Sequence, residues 1–258
     1  MTRTRTGAAC IAAFALAIVA KAQTLSPTPS AATAQASLPN ATAALQIKYV
    51  RDSAEYAALT GQTFRQAQAA IARALPPADQ QVVWCAVLDI DETVLDNSVY
   101  QLERAAYGLP YDPASWLAWT SREEAAAVPG ATEFAAQVHG MRGRIAYISN
   151  RTEAERQATL ANLAAKCLWK NGDLLCLATD SKAYTKEARR KELRASTGPC
   201  SWSGVVPKIL VFLGDQIGDF PAGDEETEAK DPAAFGTRYF LLPNPMYGGW
   251  AAKVTRHY

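Results

Sequence analysis

The sequence predicts an α/β fold, a parallel sheet with helices on both faces, and three observations carry that prediction. Apolar runs of strand length recur along the chain, at Val82 to Leu88, Arg144 to Ile148, Leu174 to Ala178, Ile209 to Leu213 and Arg238 to Leu242. Segments of helical character separate several of them, an alternation that calls for parallel strands joined by crossover helices. The first run, moreover, has no polar face and is too short for a confident helix, so it fits a strand buried on both sides.

Taken in order, the chain opens with an export signal. Arg3 and Arg5 form a short basic region, Ala8 to Ala20 an apolar one, and Ala20-Lys21-Ala22 a small-x-small cleavage site. Residues 1–22 are therefore expected to be removed, and the apolar stretch falls short of the ~20 residues of a membrane span. No stable membrane anchor is expected, and the location is periplasmic or secreted. Residues 23–44, rich in Ala, Ser, Thr and Pro, read as a flexible linker. Ser53 to Leu75 carries Tyr56, Leu59, Phe64, Ala67 and Ile71 near one helical face and stops at Pro76-Pro77. After the first strand, Tyr100 to Val128 holds Trp116 and Trp119 among Pro and Gly breaks. An insertion of this kind between two strands is where an α/β enzyme keeps a cap. Glu133 to Met141 reads as a helix, with His139 on its surface. Thr152 and Glu155 form a capping box for a helix running to about Lys166, and Lys182 to Arg194 is a charged helix.

Composition narrows the function. With 49% hydrophobic residues in 258, there is enough for one sizeable core. The formal charge of +1 turns slightly negative once Arg3, Arg5 and Lys21 are lost, so no nucleic-acid polymer is expected as partner. Cys85 lies inside a strand and suits a core position, while Cys167, Cys176 and Cys200 could supply one disulfide whose pairing the sequence leaves open. Cys and His spacings for a zinc site are absent.

The strand ends carry the chemistry. Asp89 and Asp91 follow the first run, Ser149 and Asn150 the second, and Asp215 the fourth, with Asp219 four residues on and Lys186 in the segment between. Parallel strands bring their carboxyl ends to one crevice, where α/β sheets bind ligands. Converging carboxylates need a counter-ion, and oxygen-only ligands point to Mg²⁺. A cation, a lysine and a hydroxyl make an anion site, and phosphate is the anion that fits. Ser149 and Asp219 each have an alternative role as helix caps, and Lys182 competes with Lys186.

These residues resemble the haloacid dehalogenase-like (HAD) superfamily of aspartate-nucleophile phosphohydrolases, with DIDET at Asp89 to Thr93, Ser149, Lys186 and GDQIGDF at Gly214 to Phe220 as its four motifs. Within it the chain is similar to the class C acid phosphatases, marked by the paired aspartates Asp89, Asp91, Asp215 and Asp219. LDNS at Leu95 to Ser98, ISNR at Ile148 to Arg151, TKEARR at Thr185 to Arg190 and PNPMYGGW at Pro243 to Trp250 extend the match. The resemblance implies a Rossmann-like sheet with a small, mainly helical cap: one phosphatase domain over 45–258 with its cap at about 98–129. It implies a phosphomonoesterase, with 5′-nucleotidase activity among its reactions. Asp89 would be nucleophile, Asp91 acid and base, and Ser149, Asn150 and Lys186 the phosphate holders. Asp89, Asp91, Asp215 and Asp219 would bind Mg²⁺, Asp91 through its backbone carbonyl, and Trp116 and Tyr247 would sandwich an aromatic leaving group. Small-molecule phosphomonoesters are the implied partners, and a homodimer is left open. Two further readings stand beside this one, a phosphotransferase using the same intermediate and a non-catalytic storage or binding relative. The stretch 197–206, with Cys200 and Trp202, looks like an extra loop without a role.

Overall fold

The computed structural model describes residues 44–75, 77, 82–221 and 231–252. The export signal and all but the last residue of the linker lie outside them. Two helices come first, α1 (Leu45–Asp52) and α2 (Ala54–Ala74). Ser53 separates them and caps α2, its hydroxyl accepting the Tyr56 N–H at 3.0 Å. Ile47 and Val50, three apart, are the buried pair of α1, a helix the sequence reading left unassigned.

Strand β1 (Trp84–Leu88) is followed by the two-residue β2 (Leu95–Asp96), helices α3 (Ser98–Ala106) and α4 (Pro113–Thr120), and β3 (Ala126–Ala127), which pairs with β2. Pro113 opens α4 at a position where its missing N–H costs nothing, and Asp112 caps it. Then come α5 (Ala131–Gly140), β4 (Arg144–Thr152), α6 (Arg156–Ala165), β5 (Leu174–Ala178), α7 (Lys186–Ala195), β6 (Lys208–Gly214) and β7 (Tyr239–Leu241). The capping box of Thr152 and Glu155 is present, although it opens a short 3-10 turn ahead of α6. Helix α7 begins four residues later than Lys182, because the Thr185 hydroxyl accepts the Ala188 N–H and so ends the helix there.

The five long strands form one parallel sheet in the order β5, β4, β1, β6, β7, as the α/β reading expects. Side chains alternate across it, since successive residues of a strand point to opposite faces. Trp84, Ala86 and Leu88 join Ile145, Tyr147, Val211 and Leu213 in a core shared with Phe64 and Ile71 of α2 and Phe134 and Val138 of α5. Cys85 and Val87 face the other way, into a second cluster with Cys176, Phe212 and Leu193 of α7. β1 is thus buried on both sides.

Two expectations are corrected. His139 is not a surface residue: its side chain is 11% exposed and its Nε2 lies 3.0 Å from the carboxylate of Asp173, which also accepts the Ile145 N–H at the start of β4. The disulfide allowed among Cys167, Cys176 and Cys200 is not formed, and Cys85, Cys167, Cys176 and Cys200 are all free thiols. Cys176 and Cys200 share the second core cluster, whereas Cys167 is exposed.

Candidate active site

The register of the sheet assembles the site. Leu88 is level with Tyr147 of β4 and Leu213 of β6, so the residues just beyond them, Asp89, Ser149 and Asp215, emerge at one edge. The Asp89 N–H still bonds to the Leu213 carbonyl at 3.0 Å, which fixes the carboxylate to the sheet. Beyond it the chain turns sharply, with the N–H groups of Thr93, Val94 and Leu95 directed at the Ile90 carbonyl and Glu92 at φ 56°.

Asp89, Asp215 and Asp219 are all buried, and one carboxylate oxygen of each lies within 4.8 Å of the others. Lys186, at the first turn of α7, places its ammonium 2.7 Å from Asp89 Oδ1 and 2.6 Å from Asp219 Oδ1. Lys182 is exposed in the turn before that helix. Asp219 divides its oxygens, since Oδ2 accepts the Gln216 N–H at 2.9 Å while Oδ1 meets Lys186, so it is at once a cap and a member of the cluster. Gly214 is required for this approach because a Cβ there would overlap the Asp219 carboxylate. Asp215 receives Thr93 Oγ1 at 3.3 Å and Asn244 Nδ2 at 2.8 Å, neutral donors both among the described residues.

Three buried carboxylates against one ammonium leave an excess of negative charge. Burial pushes Asp89 up to about 7 against the pull of Lys186, with Asp219 and Asp91 adding to the rise. Asp215 is likewise raised, first by burial and then by Asp219 and Asp89. Burial alone would lower Lys186, but Asp219 and Asp89 outweigh it and hold the ammonium firmly charged. An all-oxygen, net-negative group of this kind suits a hard divalent cation.

Asp91 stands apart from that cluster. Its Oδ1 accepts Arg151 Nη2 at 2.7 Å, Arg151 Nε at 3.0 Å and Asn97 Nδ2 at 2.9 Å. Arg151 is nearly fully buried and also donates to Thr159 Oγ1 at 3.1 Å.

Both carboxylates open onto a cavity of about 540 Å³. Lys186, Asp215, Asn150 and Arg151 complete its polar floor, and Trp116, Tyr111 and Tyr247 give it an aromatic rim. Of the residues expected in the site, Ser149 and Asp219 lie beneath this surface, and the Ser149 hydroxyl accepts the Arg151 N–H at 3.1 Å. Asn150 Oδ1 is held by Arg189 Nη2 at 2.8 Å, and Arg189 also donates to the Ser149 carbonyl.

The sequence reading missed Gln101, Tyr111, Arg151 and Gln216 as lining residues and Asn244 as the partner of Asp215. Arg151 stood within the quoted ISNR and Asn244 within PNPMYGGW, so motif membership was the available signal for both. Tyr111 and Gln101 offered none.

A family model described as HAD superfamily, subfamily IIIB (acid phosphatase) matches residues 8–250. The chain belongs to this family. It is a phosphomonoesterase, and the parallel sheet with carboxylates at its strand ends is the HAD-type acid phosphatase fold. The Class C acid phosphatase from Bacillus anthracis is 30% identical, superimposes with a TM-score of 0.68, and the match covers 80% of this chain and 85% of that one. The same enzyme with tungstate bound is matched at 29% identity with a TM-score of 0.68 and the same coverage.

Proposed function

We propose that this HAD phosphatase is an exported, Mg²⁺-dependent acid phosphatase that hydrolyses phosphomonoesters, nucleoside 5′-monophosphates among them, through an aspartyl-phosphate on Asp89. One observation carries the reading: Asp89 lies on a cavity floor between Lys186 and the Asp215 and Asp219 carboxylates, while Asp91 faces the same cavity from a separate anchor. Small phosphate esters fit that cavity. The relative with tungstate bound, an oxyanion of phosphate's shape, supports an oxyanion as ligand.

Asp89, Asp215 and Asp219, with the backbone carbonyl of Asp91, would hold Mg²⁺, which supplies charge neutralisation on the phosphoryl group and on the carboxylate that attacks it. Lys186 and Asn150 bind phosphoryl oxygens, and Ser149, whose hydroxyl accepts the Arg151 N–H, fixes the end of β4 that presents Asn150. An oxygen of Asp89 attacks phosphorus in line, the bond to the leaving oxygen breaks, and Asp91 gives that oxygen a proton. Asp91 then takes a proton from water, whose oxygen attacks the phosphoryl group to release phosphate and free Asp89. Positioned charge around the phosphoryl group carries most of the acceleration. Residues 98–129 act as the cap, and Trp116 and Tyr247 stack an aromatic or nucleoside leaving group, a mode that tolerates different bases.

Export rests on the basic and apolar segments of residues 1–22. Among the described residues no helix is long and apolar enough to cross a membrane.

The test is Asp89→Asn with an aryl phosphate and Mg²⁺, together with acid quenching of the wild type. Turnover falls by about 10⁴-fold or more and the wild type alone yields a phosphorylated aspartate. Near wild-type turnover by the variant would remove Asp89 as nucleophile.

A further inference from the structure

A buried chain of polar contacts runs from α4 to the proton-transferring carboxylate. Trp119 of α4 is 3% exposed, and its indole Nε1 donates to Asn97 Oδ1 at 2.8 Å. Asn97, fully buried, donates from Nδ2 to Asp91 Oδ1 at 2.9 Å. Its backbone N–H is fixed in turn by Glu92 Oε1 at 2.9 Å. The orientation of the Asn97 amide follows from chemistry. An indole N–H only donates, so the amide oxygen must face Trp119 and the amide NH₂ must face Asp91. A flipped amide would set two oxygens against each other at Asp91 and two donors against each other at Trp119.

The contacts at Asp91 are unequal. Oδ1 receives Asn97 and two nitrogens of Arg151, whereas Oδ2 has one longer contact, 3.2 Å from Arg151 Nε. Oδ2 is therefore the oxygen left for the substrate. Trp116, one turn before Trp119, lines the cavity, and Tyr100 packs edge-on to it at 5.1 Å and tilted against Trp119 at 6.5 Å. The helix carrying the pocket wall thus also carries the residue that fixes Asn97.

We propose that Asn97 and Trp119 are positioning residues that hold Asp91 with Oδ2 facing the leaving oxygen, so that α4 joins leaving-group binding to leaving-group protonation. This rests on the reading of Asp91 as proton donor given above. Neither residue touches the reacting atoms, and their effect passes through Asp91.

The test uses the full-length Mg²⁺-loaded protein and the ratio of kcat/KM for two esters, an activated nitrophenyl phosphate and a simple alkyl phosphate. A good leaving group departs without a proton, whereas an alkoxide needs one, so a misplaced donor slows the alkyl ester selectively. The ratio is independent of the fraction of folded protein, which scales both rates alike. Asp91→Asn is the control and is expected to widen the ratio by about 10²-fold or more. Trp119→Phe, which keeps the ring and removes the donor, is expected to widen it by about 10-fold, and Asn97→Ser by a similar factor, through the same loss of orientation. If Asp91→Asn widens the ratio while Trp119→Phe and Asn97→Ser slow both esters equally or neither, the positioning role is overturned and the role of Asp91 stands. If Asp91→Asn itself leaves the ratio unchanged, the reading of Asp91 falls and the proposal with it.

Discussion

On the floor of the cavity and just beneath it, Asp89, Asp215 and Asp219 are each no more than 7% exposed, and every carboxylate has fixed partners in α7, in the turns beyond β1 and β6 or in the segment after β7. On the rim, Tyr111 is 63% exposed, Trp116 and Tyr247 are half-buried, and Tyr111 and Trp116 are held ring against ring. The floor is a buried group of charges, costly to desolvate and held by directed hydrogen bonds. The rim is a set of amphipathic aromatics on short elements, weakly restrained and tolerant of shape. On the proposed reading the two would have separate duties, the floor acting on the phosphoryl group common to all substrates and the rim on whatever that group is attached to.

The largest effect that tests this division is at Lys186. Lys186→Met removes the ammonium that meets Asp89 and Asp219, and turnover should fall by about 10²- to 10³-fold for every phosphomonoester alike. Steady-state kinetics with an aryl, a nucleoside and an alkyl phosphate check it. A loss confined to one ester would break the separation of floor from rim.

Next comes the stability of the floor without metal. Burial places Asp89 at about 7 in the folded protein, above its ordinary value near 3.8. A raised value means that the folded state favours the protonated carboxyl, so the stabilisation is complete below about pH 4 and is lost as pH climbs through about 7. In chelator, the thermal midpoint of the wild type should therefore drop over that window by several degrees, and Asp89→Asn should flatten the drop. Mg²⁺ should raise the wild-type midpoint more at pH 7.5 than at pH 5, because the cation meets ionised carboxylates there. Calorimetry across pH, with and without Mg²⁺, measures both.

Trp116→Ala sharpens the other half. Base–aromatic stacking contributes about 1 to 3 kcal/mol, so KM for a nucleoside 5′-monophosphate should rise about 10-fold while kcat/KM for an alkyl phosphate stays within a factor of about 2. An equal loss on both esters would make Trp116 part of the floor's machinery.

Most of the floor was legible from strand ends, whereas Trp116 and Tyr247 on the rim were legible only through the family resemblance and Tyr111 not at all, for a physical reason. Buried strands leave a mark, an apolar run of fixed length, and the residue that ends the run is placed by the sheet, so Asp89, Ser149 and Asp215 could be brought together across more than a hundred positions. Lys186 required the TKEARR match, because Lys182 on the same charged stretch competes with it. Tyr111 lies between Pro110 and Asp112 in a segment without periodicity, and only its packing against Trp116 directs it to the cavity. Arg151 is a different case. A buried arginine is identified by its partner, and Asp91 lies sixty residues earlier, a pairing no local pattern contains. Helix α1 was missed although Ile47 and Val50 are spaced for one face, because the Ala-rich run before it hides where the helix begins.

The smallest expected effect lies on the outer side of the rim. Arg122 bonds to Glu103 and Glu124 and stacks its guanidinium 4.6 Å from the Trp119 ring, so by number of contacts it rivals Arg151. Its side chain is 39% exposed, however, and that of Glu124 57%, so water and salt screen these pairs as they do not screen Asp91 and Arg151. Exposed pairs and exposed cation–π contacts are each worth about 1 kcal/mol or less. Arg122→Ala should therefore shift the urea midpoint slightly and lose its difference from wild type in about 0.5 M salt, whereas Arg151→Ala, which strands a half-buried Asp91, should cost about 3 kcal/mol or more at any salt. Equilibrium unfolding of both variants at low and high salt makes the comparison. Equal costs would show that burial is not what separates the floor from the rim.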